Sequence, residues 1–314
     1  MTVTRVSGLP DVHPRADLPT AVQVYEVGPR DGLQAEKAIV PLVAKLEFID
    51  RLAEAGLGVI EATSFVSPRR VPQLADAEEL LGRLQRAPGV RYPVLVPNLR
   101  GLERALAAGA DDIAVFVSAT ERFARENLGS TLDGAIEMAA PAIAEARSRG
   151  LAVRGYVSMC FGDPWEGRVE PGQCAAVAGR LVDLGCTTIS LGDTVGVATA
   201  GQVAAVLAAV DKAGVERDRI ALHFHDTYGQ ALANVLAGLE AGITTFDSSA
   251  GGLGGCPFAR SATGNLATED LVWLLDGLGI PTGIDLDALI ETSRWMADVL
   301  GRPSPSRVVA ALAG

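Results

Sequence analysis

Two histidines stand two residues apart in the run IALHFH, residues 220–225, and the whole chain holds only three. On a β-strand, residues i and i+2 share a face. Leu222 and Phe224 then turn one way and His223 and His225 the other. Two imidazoles side by side, with Asp226 next in sequence, suit a divalent metal. A solvated or hydrogen-bonded histidine pair is the alternative. A second cluster is Gly28-Pro29-Arg30-Asp31-Gly32-Leu33-Gln34, where two glycines and a proline describe a tight loop presenting Arg30 and Asp31. Arg30 offers a fixed cation with a planar donor fork, suited to a carboxylate or a developing enolate oxygen. Asp31 offers a metal-ligating carboxylate, and a purely structural loop with a local Arg–Asp pair is the competing reading. Glu61 and Asp193 lie in two further β-branched runs, GVIEATS and TTISLGD. With His223 and His225 they would form a convergent ring of polar groups.

The densest signal is SSAGGLGGCPF, residues 248–258, followed by Gly264 and Asn265. Four glycines between 251 and 255 describe a loop that can move, with Cys256 at its tip. An unperturbed thiol has a pKa of about 8.5, so cationic neighbours would let it exchange a proton near neutral pH. A phosphate-cradling glycine loop or an inert cysteine are the other readings, but the pattern G-x-x-x-x-G-K-[ST] occurs nowhere. Cys160, Cys174 and Cys186 sit in apolar or helical contexts and read as small packed hydrophobes.

Such residues need elements to position them. Eight short β-branched runs begin near Val22, Gly58, Pro93, Asp112, Ala152, Thr187, Arg219 and Thr244. Ala- and Leu-rich stretches separate them. In the stretch 42–55, Leu42, Leu46, Ile49 and Ala53 recur at helical spacing before Gly56, and the stretch 231–241 ends likewise at Gly242. Alternating strands and helices imply a parallel sheet with right-handed crossovers. Eight such units imply an α/β fold closed into a (β/α)8 TIM barrel over about residues 21–280, with active-site residues at the C-terminal strand ends. An open doubly wound sheet lacks its fingerprint, since no G-x-G-x-x-G follows the first run. Residues 285–300 read as an additional C-terminal helix, followed by a tail. No linker or repeat divides the chain, so residues 1–314 are expected to form a single catalytic domain.

Composition narrows the function. The chain has 314 residues, 48% hydrophobic and 21% charged, which excludes intrinsic disorder. Its formal charge of −11 leaves no basic surplus for nucleic acid. The longest uncharged stretch, 194–210, is glycine-interrupted and shorter than the roughly 20 apolar residues a bilayer requires. The first 20 residues lack an apolar core, and Asp11 and Asp17 speak against a transit peptide. None of the four cysteines pairs as C-x-x-C. A cytoplasmic protein with reduced thiols is expected, without nucleic-acid or membrane partners.

The ordered set EVGPRDGLQ, ATSFVSP, RGYVS, SLGDTVG, HFHDTYGQALAN, GGLGGCP and GNLATEDLV, spanning about Val22 to Leu278, resembles the hydroxymethylglutaryl-CoA lyases. These belong to a superfamily of metal-dependent lyases and Claisen-type condensing enzymes on TIM barrels. The resemblance implies cleavage of 3-hydroxy-3-methylglutaryl-CoA to acetyl-CoA and acetoacetate with Mg²⁺ or Mn²⁺, the chemistry of leucine degradation and ketone-body formation. It implies that Asp31, His223, His225 and Asn265 bind the ion and that Arg30 meets the thioester carbonyl. It further implies that Cys256 is the catalytic thiol, that Glu61 and Asp193 serve in the site, and that Lys37 contacts substrate near the entrance. Gly301 stands where family members carry Asn before a basic stretch, which weakens any inherited coenzyme A contact there. The expected partners are an acyl-CoA and further copies of the chain, as a dimer or tetramer. Two related chemistries stay open: cleavage of another branched 3-hydroxyglutaryl-CoA, and a Claisen-type condensation. The condensing enzymes usually carry extra C-terminal domains and lack the GGLGGCP loop. A non-catalytic acyl-CoA- or metal-binding barrel would have lost members of the polar ring, and all are present.

Overall fold

The computed structural model describes residues 8–255 and 264–312. Its eight strands are β1 (Gln23–Glu26), β2 (Thr63–Ser64), β3 (Val94–Leu95), β4 (Asp112–Ser118), β5 (Ala152–Ser158), β6 (Thr188–Asp193), β7 (Ile220–Phe224) and β8 (Thr245–Ser248). They form one sheet in the order β1-β8-β7-β6-β5-β4-β3-β2, and every pairing is parallel. A parallel bridge between Glu26 and Ile60 joins the two ends: Glu26 N–H donates to Val59 O at 3.1 Å and Glu61 N–H to Glu26 O at 2.8 Å. The fold is the expected TIM barrel. The second run is regular strand only at its end, because Val59 and Ile60 pair singly with Arg91 and Glu26.

The main surrounding helices are α1 (Leu42–Glu54), α2 (Ala77–Arg83), α3 (Leu99–Ala107), α4 (Leu132–Ser148), α5 (Pro171–Leu184), α6 (Ala200–Lys212), α7 (Ala231–Glu240) and α8 (Thr268–Gly277). In α1 the fully buried face is Lys45, Phe48, Ile49 and Leu52, turned from the face the apolar spacing suggests. Lys45 is tolerated there because its ammonium meets both Asp76 carboxylate oxygens, at 2.7 and 2.9 Å. Burying that stem covers apolar surface while the charge stays paired. Most apolar residues of the strands and helices merge into one core, which also takes in Leu289, Ile290 and Met296 of α9 (Leu286–Leu300). Asp285 caps α9 by accepting from the N–H groups of Asp287 and Ala288.

Two expectations need correction. The tail contains a further helix, α10 (Arg307–Leu312), because Asp270 on α8 accepts from the N–H groups of Arg307 at 3.1 Å and Val308 at 2.8 Å. The tight loop after β1 is a turn of π-helix, Gly28–Gly32. Both Asp31 and Gly32 direct their N–H groups to Val27 O, at 2.7 and 3.2 Å. Glycine suits its start: a Cβ at Gly28 would lie 2.5 Å from Glu26 Oε1 and force that buried carboxylate to shift. A π-turn of this kind is rare and recurs at functional sites.

Candidate active site

The π-turn presents Arg30 and Asp31 after β1; β7 supplies His223, and His225 follows its last residue. Ligand atoms of Asp31, His223 and His225 all lie within 4.8 Å of one another. Leu222 and Phe224, on the other face of the strand, are buried in the main core. Asn265 pairs with His225 through an isolated bridge, and its amide nitrogen donates to Asp31 Oδ2 at 2.9 Å and to Leu253 O at 3.0 Å. Its amide oxygen is buried without a partner. Burial raises Asp31, but Arg30 and the two imidazoles outweigh it and hold the carboxyl down at about 2. Asp31 is therefore ionised at neutral pH, as a metal ligand must be.

Arg30 is almost completely buried. Its Nε and Nη2 contact Glu61 Oε2 at 2.9 and 2.7 Å, and Nη1 contacts Asp31 Oδ1 at 2.5 Å. Burial disfavours the cation, yet Glu61 and Asp31 hold its pKa above the ordinary arginine value. Tyr156 O–H donates to the same Glu61 oxygen at 3.0 Å, and the Arg30 guanidinium lies 5.3 Å from the Tyr156 ring centre. Burial pushes Glu61 up despite Arg30. The geometry makes Glu61 the partner that aims Arg30.

Asp193 closes β6 and is also buried. Its two carboxylate oxygens accept from Val197 N–H at 2.9 Å and Ala198 N–H at 3.0 Å, which fixes the loop after the strand. Burial raises its pKa to about 6, against the pull of those N–H groups and of His223. Lys37 is exposed beyond the π-turn, and the structure does not bring it into the cluster. Cys256 lies outside the described residues. Cys160, Cys174 and Cys186 are buried. Burial drives Cys160 well up and Cys186 to about 12, so neither is a reactive thiolate near neutrality.

The approach to Cys256 is nevertheless well defined. Gly254 has φ of +118°, and a Cβ on it would stand 2.4 Å from Asn265 Nδ2. Glycine is the residue that fits both constraints. Upstream, Gly251 N–H is held by both oxygens of Glu269 on α8 at 3.0 Å, and Ser293 O–H donates to the same carboxyl. Burial raises Glu269 to about 8. Glu26, fully buried at the end of β1, accepts from Gly28 N–H at 2.7 Å and Ala250 N–H at 2.9 Å. It ties the π-turn to the glycine loop, and burial raises it to about 7.

Sequence reasoning missed Glu26, Tyr156, Arg154, Ser190 and Asp247. The last three meet beneath the imidazoles: Asp247 accepts from Arg154 Nη2, from Ser190 O–H at 2.9 Å, and faces His223 Nδ1 at 3.2 Å. A signal was present, since RGYVS and TTFDSS each place one charged residue inside an expected barrel strand.

Residues 21–296 match a protein-family model described as HMGL-like. The chain is 50% identical over 294 residues to a protein of Mus musculus named "Hydroxymethylglutaryl-CoA lyase, mitochondrial", covering 94% of this chain and 90% of that protein. It is 49% identical over 294 residues to one of Rattus norvegicus named "3-hydroxy-3-methylglutaryl-CoA lyase, cytoplasmic", covering 94% and 85% respectively. Among solved structures, hydroxymethylglutaryl-CoA lyase from Pseudomonas aeruginosa superposes with a TM-score of 0.92 at 47% identity, covering 95% of this chain and 99% of that one.

Proposed function

The chain belongs to the HMGL-like family, and on that premise we propose that it is a hydroxymethylglutaryl-CoA lyase, splitting 3-hydroxy-3-methylglutaryl-CoA into acetyl-CoA and acetoacetate. The observation that carries this reading is the convergence of Asp31, His223 and His225 beside a buried Arg30 at one end of the barrel. Its relatives of that name match it over nearly the whole chain.

A divalent ion fits the residues present. Two imidazoles, one ionised carboxylate and the partnerless amide oxygen of Asn265 make a donor set of nitrogen and oxygen without thiolate. Such a set suits Mg²⁺ or Mn²⁺ better than structural Zn²⁺. Bound there, the ion would supply a Lewis acid beside the tertiary hydroxyl and carboxylate of the substrate. Asp31, His223, His225 and Asn265 are the residues that would hold it.

The remaining chemistry belongs to side chains. Cleavage of the carbon–carbon bond begins with loss of the hydroxyl proton, and a carboxylate with a pKa of about 6 is matched to taking it near neutrality. We assign that role to Asp193. As the bond breaks, negative charge develops on the thioester oxygen of the departing acetyl-CoA enolate. Arg30, held rigidly by Glu61 and Asp31, is the donor assigned to that oxygen. Cys256 is assigned to protonate the enolate carbon; the burial of the three described cysteines supports this choice. Lys37 is assigned to the substrate's entrance, where its exposure leaves the ammonium available to an anionic ligand.

A homo-oligomer, as dimer or tetramer, belongs to the same proposal, and analytical ultracentrifugation distinguishes the states. So does a cytoplasmic location: relatives carry both cytoplasmic and mitochondrial names, and among the described residues no helix is long and apolar enough to cross a membrane. Specificity is tested by comparing kcat/KM for hydroxyglutaryl-CoA thioesters bearing hydrogen, methyl or a longer branch at C3. The methyl compound should rank first. A longer-branched substrate ahead of it by tenfold would replace this reading with a related lyase.

A further inference from the structure

Beneath the two imidazoles lies a buried group of side chains that touches no substrate position assigned above. Asp247 of β8 is fully buried and meets three partners. Arg154 of β5 reaches its Oδ1 through Nη2, while Ser190 of β6 donates to Oδ2 at 2.9 Å. His223 of β7 places Nδ1 3.2 Å from that same Oδ2. Strand register enforces the arrangement, because His223 pairs directly with Asp247 and with Gly192 on its two sides. Arg154 cannot swing away: its guanidinium lies 3.9 Å from the Tyr25 ring centre and 4.9 Å from that of Tyr156.

A neutral imidazole has one N–H and one lone pair. A fixed carboxylate facing Nδ1 selects the tautomer with the proton there and leaves the lone pair on Nε2. Histidines that bind metals are commonly oriented in this way by a second carboxylate.

We propose that Asp247 is a positioning residue of the ion site: it fixes His223 as the Nδ1–H tautomer and so presents Nε2 to a divalent cation, while Arg154 holds Asp247 in place. The inference rests on the metal reading of the site. Asp247→Asn is the discriminating change, because it preserves shape and reverses half of the hydrogen-bonding pattern. Arg154 is a donor only, so the asparagine oxygen must turn towards it. The asparagine NH₂ then faces Ser190 and His223, and Nδ1 must accept. The proton moves to Nε2, and the imidazole no longer offers a lone pair to the ion.

Two measurements test this. The first is imidazole ¹⁵N NMR of the ion-free wild-type protein at a pH where the ring is neutral. The chain contains only three histidines, so His223 is assigned by comparison with His13→Gln and His225→Gln variants. Nδ1 of His223 should carry the proton; an Nε2–H tautomer there overturns the proposal, whatever the behaviour of any Asp247 variant. The second is titration of the protein with Mn²⁺, followed by electron paramagnetic resonance, with thermal unfolding recorded in parallel. Folded Asp247→Asn protein should bind Mn²⁺ about 10- to 100-fold more weakly than wild type. An affinity within threefold of wild type overturns the proposal while leaving the ion site itself intact. Wild-type protein that binds no Mn²⁺ overturns the metal reading, a failure distinct from a wrong tautomer.

Discussion

Replacing Arg30 by lysine should separate charge from geometry. Arg30 directs three contacts, two to Glu61 and one to Asp31, all within 2.5–2.9 Å. A lysine keeps the positive charge that the buried Glu61 needs. It cannot reproduce a planar fork holding two carboxylates while presenting a further N–H to substrate. Losing one preorganised oxyanion donor costs about 3–4 kcal/mol, or 10²–10³ in kcat. The Lys variant should therefore fold with near-normal stability and lose about 10²–10³ in kcat, with a smaller change in KM. Arg30→Ala should lose as much turnover and also become unstable. It strands Glu61 as an uncompensated buried charge, at a cost of about 3–5 kcal/mol. The assays are steady-state kinetics of acetoacetate release and urea unfolding of both variants. An Arg30→Lys enzyme with kcat within tenfold of wild type would refute the argument, because bare charge would then suffice.

Glu269, raised to about 8, and Glu26, raised to about 7, bind protons more tightly folded than unfolded. Their contribution to stability is complete below about pH 4.5 and is lost as pH rises through 7 and 8. Glu269→Gln should flatten the fall in melting temperature between pH 5 and 8, and an unchanged slope would remove Glu269 as a cause. Cys256→Ser should fold normally and lose turnover, since a hydroxyl is a poorer acid than a thiol. One equivalent of alkylating reagent should inactivate the wild type at Cys256, with protection by substrate. Mass-spectrometric mapping of the inactivating label to Cys160 or Cys186 would reject that assignment. Gly254→Ala combines a backbone strain of about 1–3 kcal/mol with a clash against Asn265. It should lower both urea stability and Mn²⁺ affinity, and an unchanged affinity would show that Asn265 moves without consequence.

The barrel was legible because its strands are short β-branched runs between helical stretches, a pattern that survives without any knowledge of contacts. His223 and His225 were legible for a related reason: spacing of two on a strand fixes a shared face. The π-turn was not, since proline and glycine mark a break in regular structure without saying which hydrogen bonds replace it. Bifurcation at Val27 O depends on how the turn packs beneath Glu26. The polar layer of Arg154, Ser190 and Asp247 depends on register between strands far apart in sequence, where a charge in one strand finds its partner 93 residues away. Glu61 was recognised as a site residue, but its job of aiming Arg30 emerged only when the two strand ends were brought together. The helix at 307–312 was hidden because a carboxylate on a distant helix supplies its anchor.

The most direct test of the account is product analysis with ion-stripped and ion-restored protein. Purified protein is freed of metal by chelation, dialysed, and given 3-hydroxy-3-methylglutaryl-CoA with and without Mg²⁺ or Mn²⁺. The stripped protein should give no cleavage, and equimolar acetoacetate and acetyl-CoA should appear once either ion is returned. Full turnover by the stripped protein, or no cleavage by folded protein loaded with both ions in turn, would contradict the account.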